Sequence, residues 1–209
     1  MKKLLTLFNS IFLTGCSLFG IQSAQEAGYE VLKDDPPIQI RQYNSLLVVQ
    51  TEVVGSYKDA SGTAFNRLFK YITGKNKKQQ KIAMTAPVIQ ESQNEEIAMT
   101  TPVIQEKSGQ NWRMSFVLPS EYSLATAPLP LDTNVSLKEL PGKKVAVIRY
   151  SGLLSESAIE YHGNELKKWL AAQSYKSISL PRSAAYDPPW TLPFLRRNEV
   201  HIDIEEQTN

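Results

Sequence analysis

The clearest periodic pattern in the chain is helical. Apolar residues recur at spacings of three and four within 57–72, and Gly74 follows them. This spacing places apolar side chains on one face of an amphipathic helix, and glycine commonly ends such a helix. A similar pattern predicts a second helix from about Ser155 to Ala172. The chain is therefore expected to have two helices that each cover a core.

Alternating apolar and polar positions predict β-strands around both helices. The predicted strands are the segment around Ile38 and Ile40, then 46–54, 112–118, 145–150 and 199–204. Residues 119–142 contain four prolines and are predicted to be mostly connection. Ordered structure is expected to begin at Tyr29.

A short internal repeat lies between the helices. Lys81–Gln90 (KIAMTAPVIQ) recurs as Glu96–Gln105 (EIAMTTPVIQ), fifteen positions later. Both copies have strand composition and a polar turn at 91–95 joins them, so the pair predicts a hairpin. Pro87 and Pro102 cannot donate to a ladder, so each marks an edge, bend or bulge.

A longer correspondence relates the two predicted helices. A strand, a glycine, a helix and further strands occur twice, and a shift of 97 positions aligns Gly55 with Gly152, Phe69 with Leu166 and Ile72 with Trp169. This order predicts an α+β fold built by duplication from two βαββ-like halves that close on one core.

The amino terminus has the layout of an export signal. Lys2 and Lys3 precede a short apolar run that is too short to cross a bilayer. Leu13–Cys16 (LTGC) resembles a bacterial lipobox, which implies cleavage of signal peptide 1–15 and lipidation of Cys16. Ser17 rather than Asp follows the cysteine, so anchoring to the outer membrane, facing the periplasm, is expected.

The composition of the remaining chain limits its possible partners and ligands. Without residues 1–15 it has 194 residues with 21 basic and 21 acidic side chains, so nothing favours a nucleic-acid partner. The single cysteine is the predicted lipid site, which leaves no thiolate as a ligand. We expect a lipidated tether at 16–28, one domain at 29–204 and a polar tail at 205–209.

Several longer motifs carry a family resemblance. The doubled IAMT[AT]PV segment and Tyr186–Val200 (YDPPWTLPFLRRNEV) resemble the SOUL haem-binding family, and IRQY at 40–43 and WRMSFV at 112–117 fit it too. The resemblance covers about residues 29–204. It implies a distorted antiparallel β-barrel with two helices packed outside, related to the gyrase-inhibitor-like effector-binding fold.

The same resemblance implies non-covalent binding of haem or a related tetrapyrrole, in an apolar cleft beside the first helix. Carried onto this chain, that cleft comprises Tyr57, Ala60, Ser61, Ala64, Arg67 and Leu68. Arg67 and Lys70 are the cations of this helix that could meet the propionates of the ligand.

Candidate iron ligands are few. His162 lies at the edge of the buried stripe of the second helix and is the candidate axial ligand. His201 alternates with Val200 and Ile202, so we expect it on the opposite face of its strand, in solvent. Met84 and Met99 are expected to fill the core.

The proline-rich motif and the acids allow alternatives. Trp190, Leu192, Phe194 and Leu195 are expected to cap a barrel end, with Arg196 or Arg197 pairing with Glu199. No nucleophile–base spacing, phosphate loop or zinc motif is present, so binding is favoured over catalysis. The open alternatives are binding of another apolar small molecule, and hydrolysis as described for some gyrase-inhibitor-like relatives. The sequence leaves the oligomeric state open.

Overall fold

One long antiparallel sheet organises the structure, a computed structural model that describes residues 25–78, 95–188 and 190–207. The strands are β1 (Gln25–Glu26), β2 (Tyr29–Asp35), β3 (Ile38–Tyr43), β4 (Leu46–Val54), β5 (Asn76–Lys77), β6 (Thr100–Thr101), β7 (Val103–Ser108), β8 (Asn111–Val117), β9 (Leu129–Pro130), β10 (Val135–Leu140), β11 (Lys144–Tyr150), β12 (Tyr175–Ser177), β13 (Arg182–Ala185) and β14 (Asn198–Glu206). The helices are α1 (Tyr57–Ile72) and α2 (Glu156–Ala171), and a 3-10 turn spans Pro193–Leu195. Neither described helix is long and apolar enough to cross a membrane.

The sheet runs in the order β10–β4–β8–β7–β13–β14–β11–β3–β2, and β12 also pairs with β14. All of these pairings are antiparallel. Outside this sheet, β1 pairs with β6 in parallel and β5 pairs with β9. The sheet curls as a half-barrel with two helices against it, so the predicted α+β fold is confirmed.

The two helices begin in the same way. Ser56 caps α1 by accepting a hydrogen bond from the Asp59 N–H at 3.2 Å, and Ser155 caps α2 by accepting from the Ala158 N–H at 3.1 Å. The glycine that ends each preceding strand segment has a left-handed φ, 130° in the first half and 122° in the second. These equivalent turns support the predicted duplication.

The alignment of the halves changes within the helices. Ser56 and Ser155 are 99 positions apart, and each precedes a helix of 16 residues. The predicted shift of 97 is therefore wrong there, since it aligns the exposed Phe69 with the fully buried Leu166. The connection between glycine and cap is two residues longer in the second half, which the constant shift does not allow for.

Several short strands lie where the sequence predicted connections. β10 lies within the proline-containing segment and pairs with β4 along its whole length, and β12 and β13 were also missed. The residues described before Tyr29 already include a strand, because β1 pairs with β6, so the predicted start at Tyr29 is too late. β14 continues to Glu206, two residues into the predicted tail.

The repeat can be followed in its second copy alone. Pro102 separates β6 from β7, as its missing N–H predicts. Met99 is half-buried and packs against the core under α1, as expected. The first copy, with Met84 and Pro87, lies outside the described residues, as do Cys16 and the signal segment.

Alternation gives the sheet two faces, called here the helix face and the open face. Under α1 the helix face contributes Val49, Met114 and Phe116 to one core. Under α2 it contributes Ile40, Ile148, Val200 and others to a second core. The open face carries the intervening residues, with an apolar cluster that includes Val48, Val117 and Val147. The two faces therefore offer different environments to a ligand.

Candidate functional site

The residues predicted to form a cleft on α1 divide into two groups. Ala60, Ala64 and Leu68 are buried against the sheet, with 1% exposure or less. Tyr57, Ser61 and Arg67 are half-buried at the margins of the helix. The apolar part of the predicted site is thus packed into the protein core, and its use by a ligand stays a prediction.

The half-buried residues of α1 already have partners. The ring of Tyr57 packs edge-on against Trp112, with ring centroids 5.0 Å apart. Gln105 Nε2 donates a hydrogen bond to Ser61 Oγ at 2.8 Å. The guanidinium of Arg67 reaches the Thr51 hydroxyl at 3.4 Å. A ligand at this helix would have to displace some of these contacts.

His162 lies on the flank of α2 and contacts aromatic rings. It stacks on Tyr150, with centroids 4.1 Å apart, and meets Tyr161 edge-on. Its Nδ1 lies 3.0 Å from a Glu165 carboxylate oxygen. The Tyr150 hydroxyl is buried with no hydrogen-bond partner among the described residues. Tyr150 and Tyr57 of α1 both pack against the core under α2, so of the predicted α1 residues Tyr57 is the one that the structure places near His162.

The expectation of a solvated His201 is wrong. Its side chain points to the open face, as alternation predicts, but it is buried. His201 Nε2 lies 2.8 Å from a Glu199 carboxylate oxygen. Burial lowers the pKa of His201, despite the opposing effect of Glu199. The histidine is therefore neutral and donates this hydrogen bond.

Glu199 is the centre of a buried polar cluster on the open face. Its fully buried carboxylate accepts hydrogen bonds from Arg41 at 2.8 and 3.0 Å and from Arg197 at 3.0 Å. The Tyr186 hydroxyl donates to it at 2.8 Å. The sequence-based pairing of Arg197 with Glu199 is confirmed.

The cluster joins distant parts of the chain. Arg41 lies on β3 and Glu199 on β14, so their pair reaches across the intervening β11. Burial alone would raise the pKa of the Glu199 carboxyl, but His201 and Arg41 together hold it well below its usual range. Burial also raises the pKa of Tyr186 far above its usual value, so the phenol stays protonated. The carboxylate is thus ionised and engaged by several donors.

A second buried acid follows on the same strand. Asp203 pairs with Lys143 at 2.6 Å and with Arg182 at 2.5 Å. Burial opposes ionisation of Asp203, yet the two cations lower its pKa. These side chains extend the charged region of the open face toward solvent.

A cavity of about 370 Å³ opens beside this region. Its apolar wall includes Leu46, Ile104, Leu140 and Val145. A neighbouring cavity of about 460 Å³ shares Asn44 and Leu46 in its wall. The 370 Å³ cavity, called here the open-face cleft, is within the size range of small-molecule sites, whereas the neighbouring cavity has the carboxylates of Glu26 and Glu139 and no cation in its described wall.

The charge of the 370 Å³ cavity is positive. Arg113, Lys138, Lys143 and Arg182 line it, against two carboxylates, Glu106 and Asp203. His201 adds no charge because burial lowers its pKa. Since the cations exceed the acids by two, the lining favours an anionic ligand that also has an apolar body.

Sequence reasoning missed this cleft for an identifiable reason. The alternating pattern of β3 and of β14 shows which positions of each strand are polar. It does not show which of these positions lie close together across β11. Arg41 carried the available signal, because an arginine within an apolar strand requires a partner. Its partner, 158 positions away, could not be identified from one sequence.

The predicted barrel cap is also wrong. The segment Asp187–Arg197, called here the apolar loop, exposes Trp190, Leu192, Phe194 and Leu195. Trp190 is 82% and Phe194 69% exposed. Backbone hydrogen bonds direct these side chains outward, while Tyr186 fills the interior instead.

Comparison with known proteins identifies the family. The sequence profile of the SOUL heme-binding protein family matches residues 24–203. The chain belongs to this family. The matched range includes β1, both helices and the apolar loop and ends within β14, so the family assignment covers nearly all of the described fold.

Relatives agree with membership of the SOUL family, and a solved structure shares the fold. Heme-binding protein 1 of Xenopus tropicalis is 29% identical over 172 residues, which cover 80% of this chain and 84% of the relative. Heme-binding protein 2 of Homo sapiens is 29% identical over 139 residues, 64% and 63% of the two chains. The crystal structure of the EcmrR C-terminal domain aligns with a TM-score of 0.58 and 9% identity, over 85% of this chain and 98% of that domain. At that identity the likeness concerns the fold alone.

Proposed function

We propose that this protein binds haem or a related tetrapyrrole in the open-face cleft, and that lipid on Cys16 tethers it to the bacterial envelope. Membership of the SOUL family and the names of the relatives support a haem ligand. The observation that carries the choice of site is the cleft itself, with its apolar wall and its excess of two cations.

The chemistry of the ligand suits this lining. A haem has an apolar macrocycle and two propionate groups, so it needs apolar walls and cations at one edge. Leu46, Ile104 and Leu140 would contact the macrocycle, and Lys138 or Arg182 would bind propionates. The neighbouring cavity, which shares Leu46 in its wall, has two carboxylates and no cation in its described lining, so the propionates would lie in the 370 Å³ cavity.

Three positions for the ligand can be separated by charge reversal. Lys138→Glu changes the open-face cleft, Lys167→Glu changes a groove beside α2, and Arg67→Glu changes the predicted site on α1. A single exposed charge contributes up to about 1 kcal/mol, or about fivefold in affinity. Titration with hemin and with metal-free porphyrin should show such weakening for Lys138→Glu and unchanged affinity for the two others.

Weakening by Arg67→Glu alone would place the ligand at α1 instead. Saturable binding of neither compound would remove the proposal of a tetrapyrrole ligand. Circular dichroism of each variant checks that the fold is unchanged.

Iron ligation is a separate question within this proposal. His162 is the ligand predicted from sequence, while His201 lines the open-face cleft and is held by Glu199, as ligating histidines commonly are by a carboxylate. A Soret band that changes in His201→Gln but not in His162→Ala supports ligation from the open face. The reverse result supports His162. Metal-free porphyrin, which has no iron to ligate, should bind both variants alike.

We infer binding rather than catalysis. Glu199 is the buried acid that a hydrolase of this fold class would use, but Arg41, Arg197 and Tyr186 occupy its oxygens. A carboxylate held ionised by buried cations is a weak proton acceptor, so it suits a structural role better than general-base catalysis.

The proposed tether has its own test. Cys16→Ser should move the protein from the membrane fraction to the soluble fraction, and it should abolish labelling by an alkyne fatty acid. Native protein that is found in the membrane fraction but carries no label would contradict lipidation. The outer membrane is the proposed location, and separation of inner and outer membranes tests it directly.

A further inference from the structure

We propose that the apolar loop inserts into the headgroup region of the bilayer and orients the domain on the membrane. This inference rests in part on the proposed lipid tether at Cys16. It assigns a function to Trp190, Leu192 and Phe194, which the open-face cleft does not use.

The exposure of this loop is unusual for a soluble surface. Its large apolar side chains stand beside Leu153, which is 65% exposed, because Gly152 donates a backbone hydrogen bond to Pro193 O at 2.9 Å. Contiguous exposed apolar groups mark surfaces that contact a partner or a membrane. Tryptophan in particular favours the boundary between hydrocarbon and water.

The loop is held in one conformation by its own hydrogen bonds. The Thr191 N–H donates to Pro188 O at 3.0 Å, and Arg196 Nε donates to Thr191 O at 2.7 Å. Asp187 accepts from the Arg197 N–H at 2.6 Å. The backbone is therefore tied while the apolar side chains stay outside, which favours insertion without prior folding of the loop.

The start of the described chain lies at the base of this loop. Glu26 of β1 forms an ion pair with Arg197 at 2.8 Å. Cys16 precedes Gln25 by nine positions, which span at most about 30 Å when fully extended. A lipid on Cys16 would thus hold the base of the loop close to the bilayer, and this argues for a membrane rather than a protein partner.

Charge is compatible with that occupant. From Pro188 to Arg197 the sequence contains two arginines and no acidic residue. Arg197 is already paired with Glu199 and Glu26, so the favourable feature is the lack of a carboxylate in this segment, which anionic phospholipid headgroups would repel.

The test uses the full chain and vesicles of phosphatidylethanolamine and phosphatidylglycerol, with and without brominated acyl chains. Trp112 is buried and Trp169 half-buried, so the difference between the native protein and Trp190→Phe isolates the emission of Trp190. We expect this emission to shift to the blue on vesicles and to lose at least half its intensity to brominated lipid.

Two matched variants sharpen the result. In the lipidated protein, Trp190→Ser with Phe194→Ser should leave sedimentation with vesicles intact, because the lipid on Cys16 still anchors the chain. In a Cys16→Ser background, the same double variant should bind vesicles at least tenfold more weakly. Val54→Ser with Leu180→Ser removes two exposed apolar side chains outside the loop, and it should leave binding unchanged.

The outcomes separate the loop from the tether. If the native protein and Cys16→Ser sediment alike while Trp190 is still quenched, the tether fails and insertion stands. If vesicle-bound native protein shows no quenching of Trp190, insertion is refuted even when lipidation is intact. Self-association in solution that Trp190→Ser abolishes, without quenching by lipid, would assign the loop to a second copy of the chain and refute insertion.

Discussion

The buried pair of Arg41 and Glu199 offers the most direct test of what holds the curled sheet together. Glu199→Gln keeps the size of the side chain but removes the charge that balances the buried guanidiniums. The side chain of Arg41 is 4% exposed and that of Glu199 0%, so solvent cannot compensate. Removing one member of a buried pair typically costs about 3–5 kcal/mol, because the other charge stays buried without its partner.

This cost is large beside the stability of an ordinary domain, about 5–15 kcal/mol. For a chain of this size it corresponds to a fall in Tm of about 6–20 °C. Urea unfolding of the full chain in a Cys16→Ser background, followed by tryptophan fluorescence, measures the free energy of unfolding.

Glu206→Gln on the same strand is the matched control. Glu206 pairs with Lys144 but its side chain is 66% exposed, so its loss should cost about 1 kcal/mol or less. If Glu199→Gln costs no more than this control, the buried cluster does not stabilise the sheet and the reasoning fails.

Three further predictions concern pH and the helices. Stability should fall as the pH drops below about 6.5, because the unfolded chain then binds a proton on His201 that the folded protein binds only at lower pH. A further fall should follow near pH 4, where the unfolded chain binds a proton on Glu199 that the folded protein again binds only at lower pH. A Tm constant from pH 7 to pH 4 would contradict this. Gly163→Ala should cost about 1–3 kcal/mol, since its Cβ would lie 2.8 Å from Pro181 Cγ, and an unchanged midpoint in urea would show that the site has room. Gly62→Ala, whose added Cβ would have no described atom within 4 Å apart from its chain neighbours and the backbone of its own helix, should instead raise the free energy of unfolding by about 0.5–1 kcal/mol, and a loss there would reveal an unrecognised constraint.

Local patterns were predicted well because they depend on neighbours in sequence. The apolar spacing of α1 and the serine and glycine that flank it act within one or two turns, and the structure has the helix where the sequence places it. The strand ending at Tyr150 and the final strand were found for the same reason.

Features that depend on register or on the path of the backbone were not predictable. Alternation gave the direction of His201 but not its burial, because burial follows from Glu199 and from the strands on either side. The apolar composition of Trp190 and Phe194 suggested a buried cap, whereas the hydrogen-bonded turns of the loop expose them. β10 was missed because the prolines on either side of it and the charges within it weaken the pattern that its pairing with β4 completes.

The pairing of β1 has a mechanical consequence. β1 contributes two residues to a parallel ladder with β6, and Glu26 adds one ion pair to Arg197. A pulling force on the chain ahead of Gln25 would load these few contacts first, whereas β2 and β3 are joined along a much longer ladder. The first segment would therefore peel away before the sheet opens, and it would take with it the wall that Gln25 and Glu26 contribute to the 460 Å³ cavity, while the 370 Å³ cavity, whose described lining has no residue of β1, would stay intact.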